Sequence, residues 1–207
     1  MRLGDAQGSA RGDTIIEVIF AIVIFSFVAI SSLMIMNKGI AVGEKALEIT
    51  LVRQQINAQA EALRYIHEAR VVAPTSDSTD TWNRLVNEYD QPAASPYGVS
   101  GEDCIVPSDG GYDPFILNAR TAEIWSSSPS PNAGPGSPPY SQVVYNATDP
   151  SVIDAAYGIW IESVPSVPVD PGVDKKFVDF HIRACWPAPG SAIPMTIGTI
   201  VRLYDPV

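Results

Sequence analysis

Gly12 is followed at once by Asp13-Thr14-Ile15-Ile16-Glu17 and then by an apolar run from Val18 to Met36. One carboxylate, Glu17, therefore stands at the mouth of about nineteen residues that hold no other charge. At about 1.5 Å per residue such a run spans roughly 28 Å as a helix, close to the hydrocarbon thickness of a bilayer. An acid at the edge of lipid costs free energy, so it needs a reason to be there. The local alternative is a capping box, Thr14 as cap and Glu17 reaching back, helped by the helix dipole.

Other chemistry-bearing residues are few. His67 and His181 have no second His or Cys at metal-ligand spacing, and Asp170 and Asp174 around Pro171-Gly172 lack the alternating acids of a calcium loop. We expect no metal and no cofactor. Gly-x-Ser-x-Gly, Walker-type loops, His-Glu-x-x-His and Cys-x-x-Cys do not occur, so no catalytic residue is assigned and an enzyme is not expected. Asn146-Ala147-Thr148 matches a glycosylation sequon, a pattern that often arises by chance.

Cys104 lies in a Pro/Gly-rich stretch and Cys185 within a strand pattern, on the face it shares with Asp179, His181 and Arg183. A lone cysteine on a wet, extracytoplasmic strand is more often bonded than free, so a Cys104–Cys185 disulfide is expected. The alternative is two unpaired thiols in a reducing or disulfide-poor envelope.

The elements that must position these groups follow from the patterning. No proline occurs from residue 13 to residue 73. Beyond Lys38 the apolar run becomes amphipathic, with Ile49, Val52, Ile56, Ala60 and Leu63 at spacings of three and four. Glu44, Lys45, Glu48, Arg53, Glu61 and Arg64 supply the polar face. This predicts one helix from about 14 to about 70, roughly 85 Å long, stopped before Pro74. Gly39 and Gly43 are weak helix formers where a bend is expected.

Residues 80–89 read as a short helix capped by Asp80, with Trp82, Leu85, Val86 and Tyr89 on one face. Phe115–Asn118 and Ala122–Trp125 read as a hairpin around Ala119-Arg120, and residues 126–139, rich in Ser and Pro, as an exposed loop that could carry sugars or touch a partner. Ser141–Asn146 is a further strand candidate. Stronger strands are expected at Tyr157–Val164, Phe177–Trp186 and Thr196–Tyr204. In the second of these Val178, Phe180, Ile182, Ala184 and Trp186 share the core face. The apolar helix stripe and this sheet face should pack together, giving an α+β fold.

The chain has 207 residues, with 15 Gly and 18 Pro mostly after residue 73. Of its 23 acids and 13 Lys or Arg, three and two precede Asn37, leaving 20 against 11 and a charge near −9 on the later part. Such a surface repels phosphate backbones, so nucleic acid is not an expected partner. Arg2 and Arg11 before the apolar run place the N-terminus in the cytoplasm and the rest, after about residue 37, outside. A removable secretory signal fits less well. The apolar run exceeds the usual 7–15 residues and only Ala41-Val42-Gly43 resembles a cleavage site.

The junction Gly12-Asp13-Thr14-Ile15-Ile16-Glu17, followed by an apolar helix that runs into an amphipathic one, resembles the class III signal of type IV prepilins and pseudopilins. The family pattern is Gly, an aromatic, Thr, Leu, an aliphatic and Glu; Asp13 departs from it at the aromatic position. The resemblance covers about residues 11–70 by motif. It implies a pilin-like fold, in which a long N-terminal helix packs on a small antiparallel sheet. Its parts would be a leader at 1–12, a transmembrane and filament-core helix at 13–37, an amphipathic continuation at 38–73 and a β-rich extracytoplasmic head at 74–207. It further implies cleavage by a prepilin peptidase between Gly12 and Asp13 and methylation of the Asp13 amine. In that family the fifth mature residue, here Glu17, neutralises a neighbouring subunit's N-terminal amine. The implied partners are copies of this chain and other pilins, the cytoplasmic membrane and the pilus assembly machinery. The implied role is a major or minor subunit of a surface filament used in adhesion, motility or uptake, or a secretion-system pseudopilin. From another class, a bitopic anchored β-rich domain that senses or binds and never polymerises would share the apolar helix. Many pilins carry a disulfide near the C-terminus, with closer spacing than that of Cys104 and Cys185.

Overall fold

The computed structural model describes residues 13–88, 104, 114–125, 129–130, 136–165, 177–191 and 193–204. The leader at 1–12, Tyr89, and the Asp170–Asp174 turn lie outside the described residues. The chain divides into two units, Met1–Glu44 and Lys45–Val207.

Helix α1 runs Asp13–Val72, within two residues of the expected bounds at each end. Thr14 thus stands inside the helix rather than ahead of it as a cap. In the first unit the side chains from Ile15 to Met36 are solvent-facing, Phe25 at 74% and Ile35 at 71% of full exposure. The helix is long and apolar enough to cross a membrane. In lipid, a helix satisfies every backbone group within one segment, which is why a β-branched stretch of this kind can hold helical form there.

In the second unit the helix continues with Val52, Ile56, Ala60, Leu63 and Ile66 buried, one stripe at spacings of three and four. Arg53, Glu61 and Arg64 face solvent, the last two as an ion pair one turn apart. Two polar residues depart from the expected division. Glu48, assigned to the polar face, is buried and accepts a hydrogen bond from Trp186 Nε1 at 3.0 Å. Gln59 is 1% exposed and lies flat against a strand backbone: its Nε2 donates to Leu117 O at 2.7 Å and its Oε1 accepts from Leu117 N at 2.8 Å.

Helix α2 occupies Ser76–Asn83 and passes into a π-helical turn at Arg84–Glu88. Its cap is Thr75, not Asp80 as expected: Ser78 N–H donates to Thr75 Oγ1 at 3.1 Å and Thr75 N–H to Ser78 Oγ at 2.9 Å. Pro74 explains the early start, since it closes α1 and leaves Thr75 extended, ready to cap. Trp82 and Leu85 are buried as the pattern requires, with Trp82 edge-on to Phe180 at 6.1 Å.

The strands are all antiparallel. β1 (Ile116–Leu117) pairs with β2 (Ile124–Trp125), β3 (Gln142–Tyr145) with β4 (Ile153–Tyr157), and β5 (Ile159–Pro165), β6 (Phe177–Trp186) and β7 (Met195–Tyr204) form a three-stranded sheet in that order. The strand expected at Tyr157–Val164 is β5, which opens two residues later than expected. Gly158 takes a φ of 59° and turns the chain between sheets, so Tyr157 ends β4 and Ile159 opens β5. The Ser/Pro stretch is likewise not wholly an exposed loop. Pro129 is buried, and Ser130 bridges β4, its N–H donating to Ala156 O at 2.9 Å and its carbonyl accepting from Gly158 N at 2.8 Å.

One face of the three-stranded sheet carries Ile159, Ile161, Phe180, Ile182, Ala184, Trp186, Val201 and Leu203, and it packs with the α1 stripe, Trp82 and Phe115 into one core. Each of these large side chains contributes on the order of 1.5–3 kcal/mol by leaving water. The α+β architecture expected from the helix stripe and the sheet face is the observed one. Replacing Gln59 by Leu tests how firmly helix and hairpin are joined. It keeps bulk but strands the Leu117 N–H and carbonyl inside the core, so a loss of about 3 kcal/mol is expected in denaturant unfolding of the purified chain. A cost below about 0.5 kcal/mol would show that the paired amide bonds are replaceable.

Candidate assembly site

The residues singled out at the junction share the start of α1. Asp13 is its first residue and Glu17 its fifth, one turn on. Glu17 is exposed, and no described residue gives its carboxylate a hydrogen bond or an ion pair. Its neighbours Ile15, Ile16 and Val18 are 68%, 60% and 56% exposed, so the acid is set in an apolar surface that the chain itself does not cover. Farther along, the Ser26 hydroxyl is satisfied within the helix, donating to Ile22 O at 2.7 Å. The next charge after Glu17 is Lys38, also exposed. Between them lie about twenty residues, roughly 31 Å of uncharged helix surface. The described residues leave Glu17 exposed at the start of an exposed apolar helix surface.

The second unit holds the remaining candidates. Cys104 and Cys185 are bonded, their Cα atoms 5.3 Å apart and 81 residues apart in sequence. The wet face expected at Cys185 is a correction: Cys185 and Cys104 are 0% and 1% exposed and form a second, small cluster with Trp160 on the outer face of the sheet. Alternation placed Cys185 on the correct face, but that end of the face is covered. The strand there is held independently, since Cys185 N–H donates to Gly158 O at 2.7 Å and its carbonyl accepts from Ser141 Oγ at 2.8 Å.

Farther along the same face Glu162 accepts from Trp160 Nε1 at 2.8 Å and lies 3.4 Å from Arg183 Nε. His181 is pushed below its usual range by burial and by the Arg183 charge, and so is neutral near pH 7. Asp179 is held below the usual carboxylate range by a bidentate Arg202, at 2.8 and 2.7 Å, whose guanidinium also lies 3.9 Å over the Phe177 ring. His67 has other partners: its Nε2 lies 2.7 Å from Tyr204 O, and its ring leans on Trp82 at 5.2 Å. Among the described residues no three His, Cys, Asp or Glu side chains converge in a way that could hold a metal ion. The sequon side chain is engaged: Asn146 Oδ1 accepts from Thr148 N and Oγ1 at 2.9 and 2.6 Å, while Nδ2 donates to Asp154 at 3.0 Å.

No family model, curated protein or solved structure matches the chain. What stands is a long apolar N-terminal helix followed by small antiparallel sheets, an arrangement consistent with a pilin-like fold. Sequence reasoning missed three residues that organise the second unit, Glu48, Gln59 and Ser141. For Glu48 a signal existed, because it precedes Val52 by one turn and so falls on the buried stripe.

Proposed function

We propose that this chain is a structural subunit of a type IV pilus-like filament. It is made as a prepilin, anchored by α1 in the cytoplasmic membrane, cut between Gly12 and Asp13, and moved into a surface filament used in adhesion, motility or uptake. The observation that carries this reading is the single uncovered acid, Glu17, at the start of an uncovered apolar helix face. Lipid covers such a face before assembly, and the same face of other subunits covers it afterwards. Glu17 then meets the amine that cleavage frees at Asp13 of a neighbour. An ammonium and a carboxylate attract strongly away from bulk water, and each is costly alone. Pairing therefore rewards one axial register, as a buried polar group does in a coiled coil. The second unit forms the outward head, and its role is mechanical and adhesive.

The mature N-terminus tests this. Mass spectrometry of the chain from its native envelope is expected to give a start at Asp13, with one methyl group on the amine. A chain that keeps Met1 or Arg2 would instead be an anchored, non-polymerising binding domain.

A further inference from the structure

The sheet edges of the second unit are treated unequally. The outer edge of β5 is bridged by Phe115, whose N–H donates to Ile161 O at 3.1 Å and whose carbonyl accepts from Ile161 N at 2.7 Å. β4 is bridged by Ser130. β7 is the other edge of the three-stranded sheet. Among the described residues only the His67 ring reaches its main chain beyond β6, at Tyr204. From Met195 to Val201 this strand holds no charge and no proline, and five of its seven residues are β-branched. An edge that no described strand pairs with is a template for another strand, and natural edges are ordinarily blunted by charge, proline or a bulge. This one is not.

Its outer face is also shaped. Register places Gly198 beside Arg183 and Ile200 beside His181. A Cβ at position 198 would come within 2.9 Å of Ile182 O, so the position admits only glycine without a shift of backbone. Over it lies a hollow of about 320 Å³, walled by Trp160, His181, Arg183, Thr196 and Ile200. Two residues along the same face, Ile200 projects with 59% of its surface exposed. A hole and a knob thus sit two positions apart on one open strand.

We infer that β7 pairs antiparallel with β7 of a second copy of this chain, about a two-fold axis at Thr199. That register sets Ile200 of each copy against Gly198 of the other, filling both hollows at once, as bulky cross-strand neighbours do for edge glycines. It sets Ile197 against Val201 and Met195 against Leu203, which extends the apolar core face across the junction. Arg202, the only charge in the strand, falls opposite Thr196, so no like charges meet. An unrelated strand would satisfy the main chain equally, but the paired knob and hole are supplied by this chain's own sequence. The inference does not depend on filament assembly.

The test uses the full chain in detergent, where filaments do not form, with Thr199→Cys or Ile193→Cys. In the proposed pairing the two copies of position 199 face each other with Cα atoms about 4.5–5.5 Å apart, within disulfide reach. The two copies of position 193 lie about 40 Å apart by strand geometry. Mild oxidation should give a covalent dimer with Thr199→Cys at least about tenfold faster than with Ile193→Cys. Adding Ile200→Lys to Thr199→Cys should remove the dimer while the far-ultraviolet spectrum and the Cys104–Cys185 bond stay unchanged. Equal cross-linking at both positions, none at 199, or a dimer indifferent to Ile200→Lys would overturn the proposal.

Discussion

A Glu17→Ala chain is expected to insert and fold as the parent does and to form no filaments. Folding is spared because no described residue pairs with the Glu17 side chain, and the second unit's core begins near Glu48. What the substitution removes is the pairing with a neighbour's freed amine. For unit charges about 4 Å apart at an effective dielectric near 20, that attraction is about 4 kcal/mol. At about 1.4 kcal/mol per tenfold, loss of one such pair raises the concentration needed for polymerisation by roughly a thousandfold. The effect of Glu17 on the helix dipole, at most about 1 kcal/mol, is felt equally in monomer and polymer and so cancels. Glu17→Gln separates charge from shape: if the carboxylate charge matters, Gln should fail nearly as fully as Ala. The measurement is sheared-filament yield against membrane-inserted chain. A yield within twofold of the parent for both variants would remove the register role.

How far the sequence speaks depends on how local each feature is. Helix α1 was readable from end to end, because sixty proline-free residues, a continuous apolar run followed by spacing of three and four, leave no competing element. β6 was readable to the residue, because alternating Val178, Phe180, Ile182, Ala184 and Trp186 fixes both strand and face. The cap of α2 was not. Thr75-Ser76-Asp77-Ser78-Thr79-Asp80 offers six capping side chains in a row, and only the turn imposed by Pro74 selects the first. Gly158 was read as the second residue of a strand from Tyr157, because a lone glycine there reads equally well as a weak strand residue and as a break. Gln59 and Glu48 escaped for a different reason. Their partners, Leu117 and Trp186, lie 58 and 138 residues away, and no local pattern says that a polar residue on an apolar stripe will be satisfied there. At the junction the reverse holds. Gly12, Asp13 and Glu17 stand within one short segment, so the candidate site was legible before any tertiary contact.

Removing the disulfide with Cys104→Ser and Cys185→Ser together is expected to keep the fold and lower its stability by about 4 kcal/mol. The bond spans 81 residues of sequence, enclosing β1 to β5 and nearly all of β6. In the chain-entropy account such a long loop restricts the unfolded ensemble by about that amount, and releasing it favours unfolding without changing the native ladder. The native ladder has its own support where the bond is lost. Cys185 keeps its main-chain bonds to Gly158 and Ser141, and the main core lies on the opposite face of β6, built from residues that do not touch sulfur. The cluster of Trp160 with the two cysteines should loosen, giving that indole's environment a second readout. With a urea dependence near 2 kcal/mol per molar, the midpoint should fall by about 2 M. A changed slope would mean that the bond also shapes the unfolded chain's compactness. An unchanged midpoint would mean that the closed loop is already as restricted without the bond as with it, and the covalent link would then be a passenger on a head stabilised by its core alone.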